Sequence, residues 1–403
     1  MAVSLLSHEV SDLCLGKPSL RSLSVSATIG DALTALKRSG ENSLSVWNCV
    51  CSRRRSDNGN VDSILGECKE FCECVGKICM VDVVCFLGKE ENLKNPISAL
   101  QSPISVLISN DSPGLVRHLR PHTRVWEAIA VILDGAQNLV IPLKSRNSTR
   151  RKLVHNNSIN SSTVHNNREY CWLTVEDIIR YLLNSIGLFS PISVQPINAL
   201  NLIDTENVLS IHYHDPASSI LPLIHKSLIN QTSVAIIDED GKILGEISTF
   251  VLNYCDESVA AAIATLSAGD LMAFIDCGGP PEDLIQLVKE RLEERNLKAA
   301  LELMEEDSSG MSSSSSAYNS SSDEECSPGS GKIGRSGGYS SRVGRRSEAI
   351  VCYPWSSLVA VMIQALSHRV SYVWVVEEDG SLAGIVTFAG MLKVFQESLK
   401  AMS

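Results

Sequence analysis

The residues best suited to chemistry in this chain are its thiols. Of thirteen cysteines, Cys49, Cys51, Cys68, Cys72, Cys74, Cys79 and Cys85 crowd into the first quarter. Thiolates are strong zinc ligands, but the spacings are C-x-C and C-x3-C rather than the C-x2-C of zinc knuckles. Cys79 and Cys85 also stand where apolar core positions are expected, so the reading is buried or loop thiols with no metal. A basic group follows: Arg117, His118, Arg120, His122 and Arg124 lie just ahead of a helical pattern. It reads either as a solvated loop or as a phosphate clamp at that helix's N-terminus, where amides and dipole favour anions. His212 and His214 form a weak His-x-His pattern with no identifiable Cys or carboxylate partner. Thr174 with Asp177 has the spacing of a capping box, and Cys79 with Asp82 has the same spacing but a poor cap. No nucleophile–base pair can be assembled, and no catalytic residue is assigned.

The elements that must position these residues are written as a repeat. Residues 233–250 read SVAIIDEDGKILGEISTF, and residues 372–388 read YVWVVEEDGSLAGIVTF. Each is a β-branched strand, an acidic Asp-Gly turn, a short strand closed by Gly, then a Ser or Thr opening a helix. Amphipathic segments precede both, with Ile220, Leu223, Ile224 and Leu228 in one and Leu358, Met362, Ile363 and Leu366 in the other. These are helical spacings. Equivalent segments occur at 28–40 and 123–136, followed by strands at Leu44–Trp47 and Leu139–Ile141. The unit strand-helix-strand-strand-helix therefore occurs four times, over 10–96, 97–195, 200–256 and 265–400. Two copies lose the compact turn to polar, flexible insertions at 48–70 and 144–169. The last carries a charged helix over 281–307 and a Ser/Gly-rich disordered stretch over 308–347. The helix's apolar stripe packs on its own domain or meets a partner.

Composition narrows the function. The formal charge of −11 argues against non-specific binding to nucleic acid or anionic membrane. No apolar run reaches the roughly 20 residues that cross a bilayer. The N-terminus lacks the basic and apolar regions of a secretory signal, and Glu9 and Asp12 argue against an organellar transit peptide. The expected location is cytoplasmic, with nuclear access as an option.

The strand–turn–strand with Gly-h-h-[Ser/Thr]-x-x-Asp resembles the cystathionine-β-synthase (CBS) domain. Four copies with long insertions resemble the plant CBS-domain-containing proteins of the CBSX group and, more distantly, the gamma regulatory subunits of AMP-activated-type kinases. The resemblance implies an α/β (α+β) chain whose four CBS repeats pair into two Bateman modules. It also implies adenosine ligands in the clefts, with the motif's Ser/Thr and Asp holding the ribose. Carried over by position, Thr174 and Asp177 form a full pair, and Asp82 stands with Cys79 in place of Ser/Thr. Ser248 is followed by Val251 and Thr387 by Gly390, so the second module lacks both carboxylates. The expected ligand is AMP, ATP or S-adenosylmethionine, bound in the first module through Asp82, Cys79, Thr174 and Asp177. Arg117, His118, Arg120 and Arg124 are the expected phosphate contacts. The implied role is a non-enzymatic sensor acting on a partner such as a kinase complex or another regulated enzyme, with a homodimer as an option. The alternative is a ligand-free interaction scaffold using the 281–307 helix and exposed sheet faces.

Overall fold

The computed structural model describes residues 7–52, 69–108, 114–143, 164–276, 279–309 and 347–402. Most of the two polar insertions and of the Ser/Gly-rich stretch lies outside those residues. Four copies of one unit account for nearly everything else. The first holds β1 (Ser22–Ser24), helix Ile29–Ser39, β2 (Ser43–Ser52), β3 (Lys69–Cys79) and helix Met80–Leu87. The second holds β4 (Val116–His118), helix Val125–Leu133, β5 (Asn138–Pro142), β6 (Val164–His165), β7 (Arg168–Thr174) and helix Val175–Asn184. In the third, β8 (Ser210–His212), helix Leu221–Asn230, β9 (Ser233–Ile237) and β10 (Ile243–Ser248) lead to the short helix Thr249–Leu252. In the fourth, β11 (Val351–Cys352), helix Leu358–His368, β12 (Tyr372–Val376) and β13 (Leu382–Thr387) lead to helix Phe388–Met402. In every copy the first strand runs parallel to the second, which a crossover helix requires, and the last strand runs antiparallel.

Two insertions are more ordered at their edges than the sequence suggests. The first hairpin extends to Ser52 and resumes at Lys69, with Cys49 opposite Cys72. Phe71 and Glu73 face out while Cys72 and Cys74 are buried, a strand alternation hidden by thiols standing where aliphatics are expected. In the second, Val164–His165 pairs with Arg168–Glu169 across Asn166 and Asn167. Both asparagines are left-handed, with φ of 50° and 60°, as a two-residue hairpin turn demands. The expected helix over 281–307 is in fact two, Glu282–Glu294 and Lys298–Ser309, broken where Asn296 turns left-handed at φ 57°. Their apolar stripe is spent internally, because Val288, Leu292, Leu297, Ala300 and Met304 are buried in a shared core. Arg291 and Arg295 donate to the carbonyls of Thr265 and Ala264, capping the helix Val259–Thr265.

The four units form a ring. Helices of the first and third repeats share one apolar core, and those of the second and fourth share another. A third cluster, with Trp47, Cys72, Cys74, Val140 and Tyr170, joins the sheets of the first and second repeats. The sheets of the third and fourth meet through Glu246, whose buried carboxylate accepts from Tyr372 Oη at 2.8 Å and Trp374 Nε1 at 2.7 Å. Chain crossings repeat the pairing. The segment leading into each repeat bridges to the start of its partner's first helix, at Glu9–Arg124, Thr28–Pro103, Pro196–Ser357 and Pro216–Ser267. The result is two Bateman modules, repeats 1 with 2 and 3 with 4, packed helix to helix. Among the described residues no helix is long and apolar enough to cross a membrane.

Among the described residues, the Lys37–Glu257 ion pair crosses between modules. Lys37 Nζ lies 2.6 Å from Glu257 Oε1, and the glutamate side chain is only 10% exposed. Its Oε2 is buried and lacks a hydrogen-bond partner, so the lysine is the main compensation for this charge. Lys37→Ala is expected to lower stability by about 1–2 kcal/mol, between the values for exposed and buried pairs. Adding Glu257→Gln should restore part of that loss. Urea denaturation measures both, and an unchanged midpoint in Lys37→Ala would remove the pair from the account.

Candidate functional site

The two carboxylates sit at equivalent places, where a last strand turns into a helix. Asp82 is the third residue of the helix after β3, and its Oδ2 accepts from Cys79 N at 2.7 Å and Cys79 Sγ at 3.0 Å. The thiol, expected to be a poor cap, thus takes part in it. Asp177 follows β7 in the same way, with Oδ2 accepting from Thr174 N at 2.7 Å and Thr174 Oγ1 at 2.8 Å. Both satisfy first-turn donors of their helices. What separates them is the next neighbour.

Asp177 Oδ2 also receives Lys17 Nζ at 2.6 Å, with both side chains 23% exposed. Lys17 arrives on the segment that leads into the first repeat and crosses the second, where Leu20 N donates to the Tyr170 carbonyl at 2.8 Å. Cys14 on that segment shares a hydrogen bond with Cys171. The segment that crosses the second repeat therefore engages Asp177 Oδ2 itself.

Asp82 forms no salt bridge to any described residue. It lines a cavity of about 650 Å³. All four repeats line it, contributing Asp82 and Lys77, Thr174 and Asn138, His225, and Arg369 respectively. Lys77 reaches it from β3 two residues before Cys79, so its side chain shares that residue's face of the strand. Its Nζ donates to Asn138 Oδ1 at 3.3 Å. Desolvation by the surrounding protein pushes the Asp82 carboxyl above the usual carboxylate range and the Lys77 ammonium below its own. Lys77 and His225 partly offset the Asp82 shift by favouring its charge. A carboxylate and basic side chains lining one cavity can take hydroxyl donors on one side of a ligand and an anion on the other.

The basic group read from the sequence is not gathered. Arg117 and His118 lie on β4, where His118 Nε2 accepts from Cys74 N at 3.0 Å and its ring stands edge-on to Trp47. Arg120 and Arg124 are exposed, and His122 pairs with Glu9 at 2.9 Å. None of the five lines the 650 Å³ cavity or a second one of about 1000 Å³ near Lys17. Lys77, His225 and Arg369 instead line the cavity from three repeats, and Lys77 and His225 act electrostatically on the Asp82 carboxylate. Of these, only Lys77 carried a signal, being near Asp82 in the chain.

In the second module the chain itself packs against both closing glycines. Ser248 Oγ accepts from Phe250 N and Thr387 Oγ1 from Gly390 N, but the carboxylate positions hold Val251, which is buried, and Gly390. Asp204 and Ile385 exchange two backbone hydrogen bonds of 2.9 Å beside Gly384, and Glu246 N donates to Ser347 O at 2.9 Å beside Gly245. A Cβ at Gly384 would come within 2.5 Å of the Ile203 side chain, and one at Gly245 within 2.6 Å of Ser347 O. The closing glycine of the repeat is what lets the chain fill its own cleft. At Gly76, the equivalent in the first repeat, the nearest atom is an Ile108 side chain at 3.2 Å.

Known proteins share this organisation. The chain is 45% identical over 408 residues to the CBS domain-containing protein CBSX5 of Arabidopsis thaliana, covering 99% of each. It is 22% identical over 411 residues to the SNF1-related protein kinase regulatory subunit gamma-like PV42b of the same plant, covering 98% of the chain and 96% of that protein. Among solved structures, protein MJ1225 of Methanocaldococcus jannaschii, a proposed archaeal homologue of g-AMPK, shares the fold. It superposes with a TM-score of 0.51 at 15% identity, covering 96% of this chain and 100% of that one. No protein-family model matches the chain.

Proposed function

Since the chain belongs to the plant CBSX group of CBS-domain-containing proteins, we propose that it is a non-enzymatic regulatory protein with one adenosine-nucleotide site in its first module. One observation carries this reading. Of the two motif carboxylates, Asp177 is ion-paired with Lys17 through Oδ2, whereas Asp82 lines a cavity that Lys77, His225 and Arg369 also line. An ionised carboxylate is a two-oxygen acceptor suited to the vicinal hydroxyls of ribose. Cations across the cavity suit a phosphate through charge-assisted hydrogen bonds. The same cations favour AMP or ATP over S-adenosylmethionine, whose sulfonium is positive. A volume of about 650 Å³ lies in the range of small-molecule sites.

Because all four repeats line the cavity, a ligand bridging them favours one packing of the ring over others. A partner protein reading that packing completes the sensor, and the gamma-like relative points to a kinase complex as its class. A ligand-free scaffold resting on the 281–307 segment has less support, because that apolar stripe is buried. Equilibrium dialysis of AMP, ATP and S-adenosylmethionine against wild type and the Asp82→Ala/Asp177→Ala variant separates the readings. The expected result is saturable AMP or ATP binding that the double variant loses. No saturable binding to folded wild type would sink the sensor, and binding unchanged in the variant would sink the site.

A further inference from the structure

Around Trp47, where the sheets of the first and second repeats meet, three ligand-type side chains converge. Cys49 and Cys72 face each other across β2 and β3, and His165 arrives from β6 of the next repeat. Their sulfur and ring-nitrogen atoms all lie within 4.8 Å of one another. His165 Nδ1 is 3.4 Å from Cys49 Sγ.

We infer that Cys49, Cys72 and His165 form a zinc site joining the first two repeats, distinct from the nucleotide cavity. The ligand chemistry is two soft sulfurs and an imidazole, a set that selects zinc over oxygen-preferring cations. Zn–S bonds of about 2.3 Å and Zn–N bonds of about 2.0–2.1 Å put tetrahedral ligand atoms roughly 3.5–3.8 Å apart. The observed set closes on an ion with side-chain shifts of about 1 Å or less. Binding replaces the two thiol protons, which leave to solvent, and gives a neutral two-thiolate, one-imidazole centre.

The surroundings are built for a fixed imidazole. His165 Nε2 lies 2.7 Å from the buried Ser22 Oγ, so Nε2–H donating there leaves the Nδ1 lone pair aimed at the thiols. The ring stacks on Trp47 with centroids 3.9 Å apart and planes 3° from parallel. Asn166, next in the hairpin, clamps the Cys72 backbone from both sides, accepting from its N at 2.9 Å and donating to its O at 2.8 Å. That clamp holds the second repeat's hairpin in register with the thiols of the first. The cysteine spacing gave no hint of this, because the ligands come from three strands of two repeats.

Cobalt titration of the chelator-treated full chain in reducing buffer tests it, with the thiolate-to-cobalt band as readout. One cobalt per chain is expected, displaced by zinc. Cys49→Ser, whose side chain is exposed and whose folding circular dichroism checks, should weaken binding at least about 100-fold, as should His165→Gln. Ser22→Ala should weaken it about 10–100-fold. No band in wild type, affinity within about tenfold of wild type in either ligand variant, or a Cys49–Cys72 disulfide persisting in reducing buffer would overturn the site.

Discussion

Trp374→Ala is expected to cost about 3–5 kcal/mol of stability, among the largest losses from any single substitution in this chain. The indole lies mid-strand on β12, fully buried between the third and fourth repeats. Its removal leaves a cavity and deletes the Nε1 donor that holds Glu246 Oε2 at 2.7 Å. Glu246 is 4% exposed, so its carboxylate depends on such donors from the neighbouring sheet. Tyr372→Phe, which removes only the second donor, should cost about 1.5–3 kcal/mol, the range for hydrogen bonds to charged groups. Burial first, and the glutamate next to it, push the Tyr372 phenol well above its ordinary value. The folded state therefore keeps that proton when the unfolded chain would release it. This contribution is intact below about pH 10 and is lost as pH rises beyond it. Urea denaturation followed by circular dichroism reads all three effects. Trp355→Ala is the control, since that indole is exposed. A loss under about 1 kcal/mol in Trp374→Ala would mean that the Glu246 network does not hold the second module together.

Asp82→Ala is expected to weaken AMP binding at least about 30-fold, whereas Asp177→Ala should stay within about threefold of wild type. The two residues share a motif and a helical position, so the difference isolates what the fold does to each. Asp177 Oδ2 is already bonded by Thr174 and, at 2.6 Å, by Lys17, so a ribose there competes with the lysine. Asp82 keeps its Cys79 cap while facing the cavity. Burial raises the Asp82 carboxyl, so affinity should increase as pH rises through that elevated value and the ligand-accepting anion forms. Stability runs the other way. The protonated acid favours the fold, a contribution present below about pH 4 and lost as pH rises through the folded-state value. Equal losses in both variants would show that Lys17 yields its place to ligand.

Much of the architecture was legible because two repeats are nearly uninterrupted and their turn, closing glycine and helix start recur in order. The other two could be found from their helices and last strands alone. Their hairpins were misjudged where thiols stood in for aliphatics at 72 and 74, and where Asn166-Asn167 marked a tight turn inside a polar run. The break at Asn296 was invisible in a segment whose charge and apolar spacing both fit one helix. At the site, the positions of Asp82 and Asp177 followed from the repeat, but their unequal fates did not. Lys17 lies 160 residues from its partner, and His225 and Arg369 reach the cavity from other repeats. Contiguity misled in the opposite sense at 117–124, where a strand and an exposed loop scatter charges that sit together in sequence. The closing glycines at 245 and 384 looked like turn punctuation. Their close contacts with Ser347 and Ile203 show that they admit the chain into its own clefts.

Photoaffinity labelling of the intact chain with azido-AMP, followed by peptide mapping, tests most directly where nucleotide binds. The account predicts one saturable adduct, competed by AMP, on peptides of the Asp82 cavity around Val75–Cys79 or Gly114–Val116. Saturable labelling around Gly245 or Gly384, where the chain packs against itself in the second module, would contradict it.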